Sequence, residues 1–364
     1  MTIDDRFGPG SAGATTSEGP GAPPGLPPLG DRPDALGGQP VLGRRSLLLG
    51  AAVLGSAAAL GVGATAGAPE AAAAVPGFPT FTRLGAAMDK SQLAYAPARK
   101  EIIFPSVRNV AGKVRNPLGA WYMYYAPHDA PGGICLAYAD SLAGPWREYP
   151  NNPVISRTWS PHYSVSHVSS PHAVWNAADG RVYLFFHGEN TTTRVATSDD
   201  GVNFTYGGTV LHTGMLPSDV TETSYARVFP HPTQSGTHIM LFMGAQAGTR
   251  KIFIGWSDRL ASGWQFKHQP LISPRAGESG QLSGAHYWSR NGGGHVVYHS
   301  GSGTIHVADV GTSFDRENHL GVLYTEPVAT RAAAPSFAEE GGRLYMFYEA
   351  GARSSTNIAI ARTT

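Results

Sequence analysis

Three observations in the sequence predict an all-β fold, a five-bladed β-propeller whose ring is closed by an N-terminal strand. An aromatic-rich strand pattern recurs five times, and a second strand pattern follows each copy. The copies are spaced by 49 to 61 residues, which suits three or four strands per unit, with no long amphipathic helix between them. A strand-like segment precedes the first copy, and the last copy lacks its fourth strand.

The chain of 364 residues divides into three regions. Residues 1–43 hold 18 Gly or Pro and almost no apolar periodicity, the composition of a disordered leader. Residues 44–75 open with Arg44-Arg45, then run for 23 uncharged residues, Ser46 to Ala68, made mostly of Ala, Gly and Leu. This pattern is that of a twin-arginine export signal, with Ala-rich cleavage sites between Ala68 and Val75. Its length would also allow a membrane anchor, but its weak hydrophobicity favours export. The expected product is secreted or extracytoplasmic, begins between Pro69 and Phe78, and has no stable membrane association once the signal is removed.

Residues 76–364 carry the propeller. The segment "FPTFTRLGA" (78–86) is expected to supply the outer strand missing from the last copy and so to close the ring. That arrangement protects two sheet edges which would otherwise invite aggregation, and it favours a monomer. The five copies are "AWYMYYAPH" (120–128), "RVYLFFHGE" (181–189), "THIMLFMGA" (237–245), "GHVVYHSG" (294–301) and "RLYMFYEAG" (343–351). Their partner strands are "ICLAYADS", "TRVATSDD", "KIFIGWSD", "TIHVADVG" and "NIAIARTT". In the first four copies this second strand ends at Asp140, Asp199, Asp258 or Asp309, before Trp146, Phe204, Trp264 or Phe314. A carboxylate recurring at one place in each unit reads as a turn residue that accepts from nearby backbone amides, not as a catalytic set.

Composition narrows the function. Lys and Arg total 27 against 26 Asp and Glu, so no basic footprint for nucleic acid or an anionic membrane exists. The single cysteine, Cys135, lies in an apolar strand pattern; it excludes an intrachain disulfide and a cysteine-based zinc cluster. Polar residues concentrate in the segments that enter each first strand and in the loops between second and third strands. A propeller brings both to one rim. They include Arg108, His128, Asp129, His167, His172, His187, Glu189, Glu222, Tyr225, Arg227, His286, His299 and Glu349. Such a polar rim at the mouth of a channel is the default ligand site.

The phrases "YYAPHDAPGGICLAYADSLAGPWREYPNNPVI", "SSPHAVWNAADGRVYLFFHG", "ATSDDGVNF" and "EGGRLYMFYEAG" carry a resemblance. Through them region 78–364 resembles the five-bladed propeller glycoside hydrolases, the superfamily of glycoside hydrolase family 43 and its relatives. The resemblance implies a base Asp entering blade one, a pKa-tuning Asp entering blade two and an acid Glu entering blade three. Here Glu222 stands before "SYARVF", Ser170-Pro171-His172 replaces the blade-two acid, and "IIFPSVRN" carries no Asp, with Asp89 and Glu101 the nearest acids before it.

The reading that follows is a secreted glycoside hydrolase acting on a glycan or oligosaccharide. Glycosidic hydrolysis needs one carboxylic acid to protonate the leaving oxygen and one carboxylate as base or nucleophile. Glu222 is expected to be the acid. Asp129, close to two glycines, is preferred for the second role over Glu189 and Asp89. His172 stands at a pocket entry, where an imidazole could bind sugar, hold a metal or tune an acid. Arg108, His128, His167, His187, Tyr225, Arg227 and His286 would bind the sugar. Trp159 is available for stacking, and Trp121 belongs to the core. No cofactor is required, although histidines from separate blades could hold a structural divalent cation. A non-catalytic carbohydrate-binding propeller and a His- or metal-dependent polysaccharide lyase are the alternatives.

Replacing Arg44 and Arg45 together by lysine should trap precursor in the cytoplasm; fractionation after pulse labelling would reveal it, and undiminished secretion would contradict the export reading.

Overall fold

The computed structural model describes residues 74–364 except 128, 129 and 277; the leader, the export signal up to residue 73, His128 and Asp129 lie outside the described residues. Residues 81–88 form β1 (Phe81–Met88). The first blade is β2 (Ile103–Asn109), β3 (Trp121–Ala126), β4 (Cys135–Ala139) and β5 (Arg147–Glu148). A small hairpin follows, β6 (Thr158–Trp159) with β7 (Tyr163–Ser164). The second blade is β8 (Val168–Asn176), β9 (Arg181–Gly188), β10 (Thr192–Ser198) and β11 (Thr205–His212). The third is β12 (Val220–Pro230), β13 (His238–Gln246), β14 (Thr249–Ser257) and β15 (Gln265–Phe266). The fourth is β16 (Ser283–Arg290), β17 (Gly293–His299), β18 (Ile305–Asp309) and β19 (Asn318–Tyr324), and the fifth holds β20 (Ala332–Glu340), β21 (Arg343–Ala350) and β22 (Asn357–Thr363).

Each blade is a four-stranded antiparallel sheet, and β1 is the outer strand of the fifth, in the order β1-β22-β21-β20. Its register runs from Phe81 opposite Thr363 to Met88 opposite Ile358. The strand therefore starts three residues later than its sequence pattern suggested and runs two residues further. The first strands of successive blades touch in the cycle β2, β8, β12, β16, β20 and back to β2, which makes them the wall of a central channel. Five buried apolar clusters fill the gaps, four of them shared by two neighbouring blades and the fifth, between blades one and two, also taking in Ala334 of blade five. The middle strands are buried on both faces, as in "WYMYYA" of β3, and so read as continuous apolar runs.

Asp140, Asp199 and Asp258 pair with Arg147, Arg115 and Arg259, while Asp309 accepts from the Gly311 amide at 3.0 Å and pairs with Arg316. Backbone capping thus holds for Asp309; in blade two the capping residue is Asp200, which accepts from the Val202 and Asn203 amides. The recurring tryptophans have a shared task. Trp146 and Trp264 each donate the indole N–H to the carbonyl four residues back, at Leu142 and Leu260, at 3.1 Å.

Each innermost strand slips register at the same level, and β12 slips a second time between Val220 and Glu222. The shared slips fall between Ile103 and Ser106, Ser169 and His172, Ser224 and Arg227, Ser283 and His286, and Ala333 and Ser336. Each contains one left-handed residue: Phe104, Ser170, Tyr225, Gly284 and Ala334, with φ between 48° and 61°. Such a bulge sharpens the local twist and re-aims the side chains beside it. Below it, blades one, two, three and five are linked in sequence. The Val107 amide donates to Ser336 Oγ, the Ala173 amide donates to Ser106 Oγ, and His172 Nε2 lies 2.9 Å from the Val228 carbonyl.

Deleting residues 76–87 removes the partner of β22. The variant should expose an unpaired edge and aggregate. Light scattering against the intact protein tests this, and a soluble variant of native stability would show that β1 is dispensable.

Candidate active site

A cavity of about 370 Å³ opens above the bulges, lined by residues of blades one, three, four and five. Phe104 and Tyr225, both left-handed, form one wall with their rings stacked 4.5 Å apart and 9° from parallel. Non-glycine residues in this conformation carry strain of roughly 1–3 kcal/mol each and cluster at functional sites. Burial pushes the Tyr225 phenol above its ordinary pKa. Behind the ring lies His187, edge-on at 5.1 Å, and His167 meets His187 at 5.8 Å.

Charges around the cavity come in matched sets. Arg250 sits over the Tyr225 ring and grips Glu222, donating from Nη2 to both carboxylate oxygens at 2.8 and 3.0 Å. Arg331 donates to Glu349 at 2.9 Å, and the Phe104 amide donates to the other oxygen of Glu349 at 3.1 Å. Glu101 accepts on Oε1 from the Ser354 amide at 2.8 Å and from the Thr356 hydroxyl at 3.2 Å. Glu101 and Glu349 are buried in the protein, yet both line the cavity. Arg353 adds a third guanidinium to the lining.

His299 completes the floor. Its Nδ1 accepts from the Ala334 amide at 3.2 Å. Burial, reinforced by Arg331 and Arg227, holds its pKa well below the ordinary histidine range. The ring is therefore neutral, and with Nδ1 accepting, Nε2 carries the proton.

Several residues singled out in the sequence lie elsewhere. Arg227, His172 and His286 are one layer deeper along the strands, beneath the cavity, and Arg108 is deeper still. Arg227 is only 1% exposed and spans the channel, donating from Nη2 to the carbonyls of Ala334 and Pro105 at 3.2 and 3.4 Å. His172 is fully buried, with Nε2 3.0 Å from Arg108 Nη2, and burial lowers its pKa strongly. Its position answers to scaffolding of the channel, not to contact with a ligand in the cavity. Glu189 lies in the turn after β9 and pairs with Arg194 at 2.8 Å, outside the lining. Asp89 caps a turn of 3₁₀ helix by accepting from the Ser91 amide at 2.9 Å. Trp159 packs in the β6–β7 hairpin against Tyr163 and Tyr206, and Trp121 is buried in the core. Among the described residues no group of three or more His, Cys, Asp or Glu could hold a metal.

Arg250, Arg331 and Arg353 carry much of the cavity's charge, and the sequence reading passed over all three. A usable signal existed for two of them: Arg250 and Arg353 each stand two residues after a glycine, on the rim that the repeats already define, whereas Arg331 has no glycine near it in the sequence.

No protein-family model and no curated protein sequence matches the chain. Solved structures do. An α-L-arabinofuranosidase from Podospora anserina, solved with cellotriose, superposes with a TM-score of 0.58 at 8% identity, over 80% of this chain and 98% of that one. The catalytic domain of a family 62 α-L-arabinofuranosidase from Coprinopsis cinerea gives 0.56 at 11% identity, over 79% and 98%. An endo-1,4-β-xylanase from Bacteroides thetaiotaomicron gives 0.55 at 17% identity, over 71% and 89%. The chain has the five-bladed fold of these glycoside hydrolases. At such identities the likeness establishes the fold, and the chemistry must be argued from the cavity.

The neutral histidines set the pH response. In the unfolded chain His172, His286 and His299 take up protons below about pH 6.5, whereas burial keeps them neutral in the fold. Stability is then fully present above that pH and lost as pH falls, by about 1.4 kcal/mol per pH unit for each histidine. Thermal melts from about pH 8 to 4.5 should show a flat Tm above neutrality and a steep fall below about pH 6. A Tm independent of pH down to about 5 would mean that these imidazoles are protonated in the fold.

Proposed function

We propose that the protein is a glycoside hydrolase acting on a glycan or oligosaccharide in the cavity, exported by its twin-arginine segment. The observation that carries this reading is the pair of buried carboxylates, Glu101 and Glu349, lining one cavity at the mouth of the channel. Both roles in glycosidic hydrolysis can be filled from this pair. Glu349 accepts from Arg331 on one oxygen and from the Phe104 amide on the other, and suits the base or nucleophile. Glu101, the other buried carboxyl on the cavity wall, is left for the acid. His299, donating from Nε2, and Arg353 would orient sugar hydroxyls or a ring substituent.

Glu222 takes a different part from the acid role expected of it. With both oxygens accepting from Arg250, it presents no proton to a leaving group. It fixes Arg250 over Tyr225 and so shapes the sugar-binding wall. One observation favours a second reading, a carbohydrate-binding propeller without turnover. Phe104 occupies the entry to blade one where the resembling hydrolases place an acid, and its ring is committed to Tyr225.

A screen of the secreted protein against plant, algal and mycobacterial polysaccharides and aryl glycosides separates the two. With a substrate in hand, Glu349→Gln and Glu101→Gln should each lower kcat by a factor on the order of 10²–10⁴ and leave KM nearly unchanged. Glu222→Gln should mainly raise KM, because it loosens Arg250. For Glu101→Gln, substrates with good leaving groups should be affected least. Saturable oligosaccharide binding by the wild type without product would favour the binding module, and full activity of both Glu101 and Glu349 variants would remove the pair from catalysis.

A further inference from the structure

The channel beneath the cavity holds an electrostatic imbalance that the cavity does not share. Arg227 is among the largest fully buried side chains. Only its Nη2 has partners, two carbonyl oxygens at 3.2 and 3.4 Å, while Nε and Nη1 are buried without a hydrogen-bond partner. Arg108, half-buried one layer below, donates to the carbonyls of Ala173 and Val107 and faces His172. Neither arginine has a carboxylate within ion-pair distance among the described residues, whereas Arg194, Arg250 and Arg331 each do. His172 and His286 flank the Phe229 ring at 5.2 and 4.9 Å, and the Nδ1 atom of each is buried without a partner.

A guanidinium does not lose its proton at physiological pH. Burying such a charge costs several kcal/mol unless something of opposite sign stands beside it. Carbonyl oxygens supply part of that compensation, through one nitrogen only. The two buried guanidinium nitrogens without an acceptor, Nε and Nη1, are donors to an anion and a poor setting for a cation. A divalent metal in this channel would meet two like charges.

We infer that the channel binds a small monovalent anion of the halide type, held by Arg227 Nε and Nη1 with His172 and His286 beside it. The enclosure excludes a sugar carboxylate tethered to a glycan, and partial exposure of Arg108 gives an ion an entry path from the far end of the channel. The anion is a structural ligand: it neutralises charge at the level where four of the five blades are joined through Ser106, Ser336, His172 and Arg227. This inference does not depend on the catalytic reading.

The test uses the secreted protein exchanged into halide-free sodium gluconate. Titrating in sodium chloride or bromide at constant ionic strength should raise Tm saturably, by about 5 °C at a hundredfold excess over Kd. Crystals grown in bromide should show an anomalous peak within hydrogen-bond distance of Arg227. Arg227→Met should melt at a temperature that halide does not change. Should that variant fail to fold, the bromide peak in the wild type decides the matter. Superposable melting curves in halide and gluconate, or a bromide peak found only away from Arg227, would overturn the inference.

Discussion

At Phe104, Ser170, Tyr225, Gly284 and Ala334 the five innermost strands turn left-handed at one level, and four of these residues are not glycine. The strain at each is held by its surroundings, and the rest of the molecule is organised about that level. Above it the strands splay into a cavity. Below it the side chains two positions on, Ser106, His172, Arg227, His286 and Ser336, turn into the channel, and four of them bond across to another blade. The small or cyclic residues between, Pro105, Pro171, Ala226, Ala285 and Pro335, suit a tight bend that has no room for bulk.

The two sides of that level treat charge differently. Around the cavity Glu222 is countered by Arg250 and Glu349 by Arg331, so much of the wall's charge is paired locally. Beneath it two arginines share the channel with histidines kept neutral by burial. The cationic floor and the carboxylates above it are near enough to act on one another. Burial, with the charge of Arg108, pulls the pKa of Arg227 down to about 9, and the Glu349 charge opposes that fall.

The architecture was legible in the sequence because it repeats. Five aromatic strands with five partners set the blade count, and the missing fourth strand of the last copy pointed to "FPTFTRLGA", most of which became β1. Depth along a strand was not legible. His172, Arg227 and His286 are polar residues in first strands, and nothing in their spacing says that a bulge has turned them below the cavity while Phe104 and Tyr225 face it. A register slip shifts which side chains point inward, and a sequence pattern records alternation without recording the slip. Ion pairs across long separations were equally hidden. Glu349 meets the Phe104 amide 245 residues away, and Glu222 meets Arg250 on the next but one strand. The triplets FPS, SPH, YAR, GAH and APS are the one local trace of the bulge, and they become visible only when the five strands are superposed.

The pairing of β1 with β22 puts a clock on the last blade. The two strands are separated by about 270 residues. At ribosomal rates of about 5–20 residues per second, β1 waits roughly 15–50 s for its partner to be synthesised. Blades one to four can assemble in that interval, whereas the fifth stays incomplete: its outer strand is made first and its inner three strands last. During the wait β1 is an unpaired strand that a holding factor could shield. Maturation of this protein is thus tied to synthesis of its final strand, and a transport route that accepts only finished folds would read completion of that one sheet as its signal.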